Sequence, residues 1–398
     1  MKLTCQQQRA LDYPGNVLLK ACPGSGKTRT IVAKLVKDVE ALRGTPFSVA
    51  CITYTNAAVS EIDARVAAHL MPDDKQNYVV STIHSFCLHY ILRPFASRVE
   101  GFSGSMKVLT SEREEFTQIA DIAAELVGRY NLRYEDYQRF GNIGVDANGK
   151  LIGSALEDDM IRLAAPHFLR IAGERGFIDF ASILYRTLCL LRNDAEVANS
   201  IATKFRSFLV DEFQDTTEIQ IEILRQIFAQ GKSQFFLVGD PAQSIYGFAG
   251  ARPELIDPFA NEIGAKSDLS LSMNFRSSGP VVEQAERLFP RTPAMTSEGK
   301  TKTCTEPAQF VATNRTFNAI TDEFLPEIER MGLPLGRSAI LAKSWAALYP
   351  ISRGLREFGV KVVGPGARPY RRSRLFAGLA EQLGAAIIDG HLFNIRQV

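Results

Sequence analysis

Two hydrophobic rhythms alternate along the first ninety residues of the chain. Short apolar runs at Val17-Leu18-Leu19, Val49 to Tyr54 and Tyr78 to Thr82 read as buried strands. Between them apolar residues return at helical spacing, first Ile31, Leu35, Val39 and Leu42, then Val59, Ile62, Val66 and Leu70. Strands alternating with helices of this length predict βαβ units and a parallel sheet. From about 85 to 200 the helical period takes over, with Ile119, Ile122, Ala123 and Leu126 in one helix and Ile183, Leu184, Leu188 and Leu191 in another. A turn-rich piece, Gly141 to Gly153, separates the two. Strands return at Phe208-Leu209-Val210, Phe235 to Val238 and Leu269 to Leu271. A second α/β unit is expected after them, with strands near Phe310-Val311, Ala339-Ile340-Leu341 and Lys361-Val362-Val363 and a helix ending at Phe358. The fold class expected is α/β, a P-loop core with parallel sheets and a helical insertion.

Composition narrows the class without choosing the function. At 398 residues, with 45% apolar and 23% charged positions, the chain is an ordinary globular one of two to three domains. No apolar run reaches membrane length. The nearest, Leu375 to Ile388, is broken by Glu381 and reads as a buried helix. The N-terminus lacks a basic region followed by an apolar run, so a cytoplasmic location is expected. A net charge of +2 points to no partner by itself, since a local field steers a polyanion. The six cysteines and five histidines are scattered without zinc-site or disulfide spacing.

Chemistry enters with Ala21-Cys22-Pro23-Gly24-Ser25-Gly26-Lys27-Thr28, a P-loop with Ala21 in place of the usual first glycine. It follows a strand and opens a helix, as a phosphate cradle must. Gly24 and Gly26 let backbone N–H groups close on phosphate oxygens at the helix N-terminus. Lys27 would reach the β- and γ-phosphates of ATP, and Thr28 would give its hydroxyl to Mg²⁺. Asp211-Glu212-Phe213-Gln214-Asp215 follows the Phe208 strand directly. Alone, such an acidic cluster is most often a solvated loop. Behind a P-loop, Asp211 becomes a Mg²⁺ ligand and Glu212 the base for the attacking water. After the next strand, Gln243 could bond the γ-phosphate or its water, and Tyr246 and Phe248 offer flat faces for bases, against the plainer reading of a turn followed by core aromatics. Arg276, in Asn274-Phe275-Arg276-Ser277, is either a surface charge or a γ-phosphate contact.

The order and context of these segments resemble the UvrD/Rep-type superfamily 1 DNA helicases from residue 3 to about 375. DEFQD and GDPAQSIYGF are the most specific of them. By this resemblance Gln7 falls at the adenine-reading glutamine, and Arg29 and Arg276 at nucleotide-contacting arginines. Tyr54, Thr55 and Asn56 resemble the single-strand-contacting motif, and Thr82 and His84 lie in an element like the family's T-x-H-S/G-F. The resemblance implies a RecA-like motor domain at 1–88 and 200–276, split by a helical insertion at 89–199. It further implies part of a second RecA-like domain at 277–367 and the start of another insertion at 368–398. Ala249 departs from the family's usual Arg, Phe248 from its frequent Trp, and Lys343 from an Arg whose bidentate fork Lys cannot copy.

The implied activity is an ATP hydrolase and DNA helicase that moves 3′ to 5′ on single-stranded or tailed DNA. Two later family motifs, one on DNA and one supplying a second arginine, are not found before Val398, so little unwinding by this chain alone is expected. The competing reading is an ATP- and DNA-binding sensor or subunit. Ile91-Leu92-Arg93-Pro94-Phe95 also resembles the short helicases of Gabija-type anti-phage systems, which would add a nuclease partner; DNA repair is the other setting.

Overall fold

The structure is a computed structural model and describes residues 2–100, 102 and 106–364. Six strands form one sheet: β1 (Val17–Ala21), β2 (Ser48–Thr53), β3 (Tyr78–Thr82), β4 (Phe205–Val210), β5 (Gln234–Gly239) and β6 (Ser270–Leu271). All pairings are parallel, in the spatial order β6-β1-β5-β4-β2-β3. The strands are almost continuously apolar because both faces of the sheet are covered. One row of paired residues, Val80, Cys51, Leu209, Phe236 and Val17, packs against helices α2 (Lys27–Leu42) and α3 (Asn56–Ala67), which follow the short helix α1 (Cys5–Asp12) in the chain. The next row contains Ile52, Val210, Leu237 and Leu18 and faces the opposite core, which includes helix α4 (Glu218–Phe228). A strand's period of two sends neighbouring residues to opposite faces, so two cores grow from one sheet.

Residues 89–199 do not form one separate body. Helices Glu114–Glu125, Tyr134–Gly141 and Asp159–Glu174 build their own core around Phe116, Phe140 and Phe168. The flanking helical stretches, Ile83–Leu92 and Phe180–Lys204, instead close the second face of the sheet through Ile91, Leu92, Leu188 and Val197. The turn-rich piece Gly141 to Gly153 contains a short antiparallel pair, Gly144–Val145 with Leu151–Ile152.

The chain divides into compact units at 308/309, later than the expected 276/277. Residues 277–308 stay with the first unit because Met273–Asn274 pairs in parallel with Thr296–Ser297, and because Cys22, Val282 and Met295 pack together. In the second unit the expected helix is present as Trp345–Glu357. The strands expected at Phe310-Val311, Ala339-Ile340-Leu341 and Lys361-Val362-Val363 are absent among the described residues. An apolar triplet becomes a strand only where a neighbour takes up its backbone hydrogen bonds, and here Phe310, Leu341 and Val363 stay exposed. The apolar run at Leu375 to Ile388 and the segment 368–398 lie outside the described residues.

Phe208 on β4 is fully buried among the rings of Phe86, Phe205 and Phe235. Phe208→Ala should cost about 3–5 kcal/mol by cavity creation, measured by chemical denaturation. A loss below about 1 kcal/mol would show that the ring is not part of a close-packed core.

Candidate active site

Parallel pairing brings the carboxyl ends of all six strands to one edge, where ligands bind in open α/β sheets. The loop after β1 is the P-loop. Gly24 and Gly26 hold left-handed backbone conformations, φ 67° and 86°. Helix α2 starts at Lys27 with no side-chain cap, so its first N–H groups stay available to an anion. Ser25 is buried, and its hydroxyl donates to the Cys22 carbonyl at 2.6 Å, which closes the turn. Ala21 ends β1 in the core, so no glycine is required there.

Gln7 is buried and braces this loop. Its Nε2 donates to the Ser25 carbonyl at 3.1 Å, and its Oε1 accepts from the Thr4 N–H at 3.0 Å. A Cβ on Gly26 would lie 2.8 Å from that Nε2. On the other side, a Cβ on Gly24 would lie 2.8 Å from Asn274 Oδ1 and 2.7 Å from Arg276 Cβ. The Phe275 N–H donates to the Gly24 carbonyl at 2.9 Å. Asn274 Oδ1 accepts the N–H groups of Arg276 and Ser277, each at 2.8 Å, and thereby fixes the turn that sets Arg276 beside the P-loop. A cavity of about 480 Å³ is lined by Thr4, Gln7, Gly24, Gly26, Arg29 and Phe275.

The acidic turn follows β4. Lys27 Nζ lies 2.9 Å from Glu212 Oε2, so the P-loop cation and the candidate base form an ion pair. Glu212 has φ 48° and ψ 45°, a left-handed conformation that a residue with a Cβ adopts only when its surroundings hold it. Asp211 is buried. Burial first, then the charge of Glu212, push its carboxyl up to about 7, with Lys27 pulling the other way. Burial and Glu212 likewise raise Asp215, to about 6. Gln243 folds back, its Nε2 on Asp240 Oδ2 at 2.7 Å, and Arg291 meets the same oxygen at 3.1 Å.

Beside this lies an aromatic face. The Tyr54 and Tyr246 rings pack at 4.6 Å, and Phe248 follows Tyr246 at 6.0 Å. Phe248 is 89% exposed, more than a core aromatic could be. A groove of about 380 Å³ is lined by Tyr54, Thr55, Asn56, Thr82, His84 and Phe180 among others. Thr55 and Thr82 also cap helices, accepting the N–H of Ala58 at 3.2 Å and of Ser85 at 3.3 Å. Burial lowers the pKa of His84.

Four residues of this edge were given no role of their own by the sequence reading. Phe180, 56% exposed, meets His84 edge-on at 6.0 Å. Phe275 lines the cavity beside the P-loop, Gln214 is buried within the acidic turn, and Arg291 holds Asp240. The signal for Phe180 was an aromatic at the first position of a helix behind an Asp cap. For Arg291 there was none.

Residues 3–264 match the UvrD/REP helicase N-terminal domain, and the chain belongs to that family. It is 31% identical over 307 residues to the ATP-dependent DNA helicase Rep of Salmonella typhimurium, covering 74% of this chain and 44% of that protein. To the Escherichia coli helicase Rep it is 27% identical, with the same coverages. To the ATP-dependent DNA helicase UvrD1 of Mycobacterium leprae it is 28% identical, over 73% of this chain and 39% of that one. The chain spans less than half the length of these relatives.

The raised Asp211 carboxyl has a signed consequence. It binds a proton more tightly in the folded than in the unfolded chain, so its charge costs stability above pH 7. That cost fades as pH falls from about 7 towards the ordinary carboxylate range near 4. Asp211→Asn should therefore raise the melting temperature of the nucleotide-free protein at pH 8, with a smaller gain at pH 5. A gain that grows towards acid would overturn the assignment.

Proposed function

We propose that this chain is the ATP-binding and single-strand-binding part of a UvrD-type DNA translocase, moving 3′ to 5′. The observation that supports it most directly is the Lys27–Glu212 ion pair at the edge that also carries the Tyr54–Tyr246 aromatic pair. The fit to ATP and Mg²⁺ rests on the left-handed glycines, the uncapped start of α2 and the buried Asp211. Thr28 and Asp211 would hold Mg²⁺, which neutralises charge on the phosphates when bound. Lys27 leaves Glu212 for the β- and γ-phosphates, which frees the carboxylate to accept a proton from the attacking water. Arg29 and Arg276 meet the phosphate end, Gln243 turns from Asp240 towards the γ-phosphate or its water, and Gln7 with Phe275 borders the adenine.

On the DNA side, bases stack on Tyr54, Tyr246, Phe248 and Phe180, with Thr55, Asn56, Thr82 and His84 along the strand. Residues 1–88 and 200–276 are the first RecA-like domain on this reading, 89–199 its insertion, and the second RecA-like domain begins beyond them. DNA repair and anti-phage defence both suit such a motor in the cytoplasm. The Ile91–Phe95 segment supports defence, with a nuclease partner.

Two measurements test the reading. Lys27→Ala should abolish ATP hydrolysis. Glu212→Gln should lower hydrolysis about 10²-fold or more, while ATP affinity rises about threefold because a partly exposed ion pair no longer holds Lys27. Wild-type turnover in either folded variant would refute the site. In a second experiment, Tyr54→Ala combined with Phe248→Ala should weaken binding of an oligothymidylate about tenfold or more and leave ATP affinity unchanged. Undiminished oligothymidylate binding would move the DNA face elsewhere.

A further inference from the structure

One side chain joins the acidic turn to the loop that carries Tyr246 and Phe248. Gln214 is 2% exposed. Its Nε2 donates to Glu212 Oε2 at 2.8 Å and to Asp215 Oδ2 at 3.3 Å. Its Oε1 accepts the Asp240 N–H at 3.0 Å, and its backbone carbonyl accepts the Ser244 hydroxyl at 3.1 Å. The approach is so close that a Cβ on Gly239 would lie 2.6 Å from Gln214 Oε1. Both ends of the amide are thus committed, one to the candidate base and one to the loop after β5.

A second observation points the same way. A cavity of about 30 Å³ is lined by Thr53, Tyr54, Asp211, Glu212 and Asp215 among others, residues of the aromatic face and of the acidic turn. Two of them hold buried oxygens with no hydrogen-bond partner, Thr53 Oγ1 and Asp215 Oδ1. The size and polarity suit one bridging water. Residues of both faces therefore line one small polar cavity beneath the surface, beside the link through Gln214.

We propose that Gln214 is a positioning residue that transmits occupancy of the aromatic face to Glu212. The inference rests on the reading of the two faces given above. Glu212 has two partners for its carboxylate, Lys27 and Gln214. Once a phosphate takes Lys27, Gln214 alone orients the base, and its own position is set by Asp240 and Ser244. Bases stacked on Tyr246 restrain that loop two residues beyond Ser244. Coupling of this kind needs an element that both sites bias, and the Gln214 amide is in contact with both.

The test is backbone hydrogen exchange of the full 398-residue protein with and without saturating oligothymidylate. In the wild type the oligonucleotide should slow exchange of segment 211–216 about threefold or more. Gln214→Met keeps the volume and removes all three amide contacts, to Glu212, Asp215 and Asp240. It should bind oligothymidylate with Kd within about twofold of wild type but lose the protection at 211–216. Ser244→Ala cuts one of the two loop-side bonds, the hydroxyl to the Gln214 carbonyl, and should reduce the protection, which decides the matter if Gln214→Met does not fold. Protection retained in Gln214→Met, or unchanged in Ser244→Ala, overturns the proposal. So does wild-type protein that binds the oligonucleotide with no change at 211–216, and in that case the functional reading stands. A wild type that does not bind oligothymidylate overturns both.

Discussion

Parallel strand pairing is the constraint on which the site depends. A parallel neighbour can be reached only by a crossover, so each strand must be followed by a covering segment before the next begins. Six strands paired this way point all their carboxyl ends in one direction. The P-loop, Tyr54, Thr82, Asp211, Asp240 and Asn274 lie far apart along the chain and still meet at one edge. The covering helices then bury both faces, which explains why the strands carry almost no polar residues outside their ends.

Charge is the second constraint at that edge. Asp211, Glu212 and Asp215 are drawn together, with Lys27 in direct contact with the partly exposed Glu212, while burial leaves little water to screen Asp211 and Asp215. The protein answers with the Lys27–Glu212 ion pair and with Gln214, whose amide holds two of the carboxylates. On the proposed reading the cation that pairs with Glu212 is also the one a phosphate would claim, so binding and activation would compete for the same group. Close backbone packing also shapes this edge. Gly24 lies against the Asn274–Arg276 turn so closely that a side chain there would displace it.

Short motifs were legible in the sequence because their chemistry is local. A P-loop needs only a strand, two glycines and a helix start, and these occupy adjacent positions. The acidic turn and the aromatics after β5 gained their meaning only from the P-loop upstream, since alone an acidic cluster reads as a solvated loop and the aromatics as core residues. Phe180 and Phe275 were less visible, since an isolated aromatic gives no sign of which face it will meet. The same limit produced the expected strands at 310–311, 339–341 and 361–363. Each has the composition of a strand, yet pairing is a property of two segments and cannot be read from one.

The sequence by itself therefore determined the α/β class, the helix and strand periods and the candidate residues for phosphate, metal and bases. Only the tertiary structure decided which of those residues touch. It placed Gln7 on Ser25, Lys27 on Glu212 and Arg291 on Asp240, and it kept residues 277–308 with the first unit. The physical reason is range. Backbone periodicity and turn chemistry act over a few residues, whereas ion pairing, burial and packing depend on which distant segments the sheet order brings together.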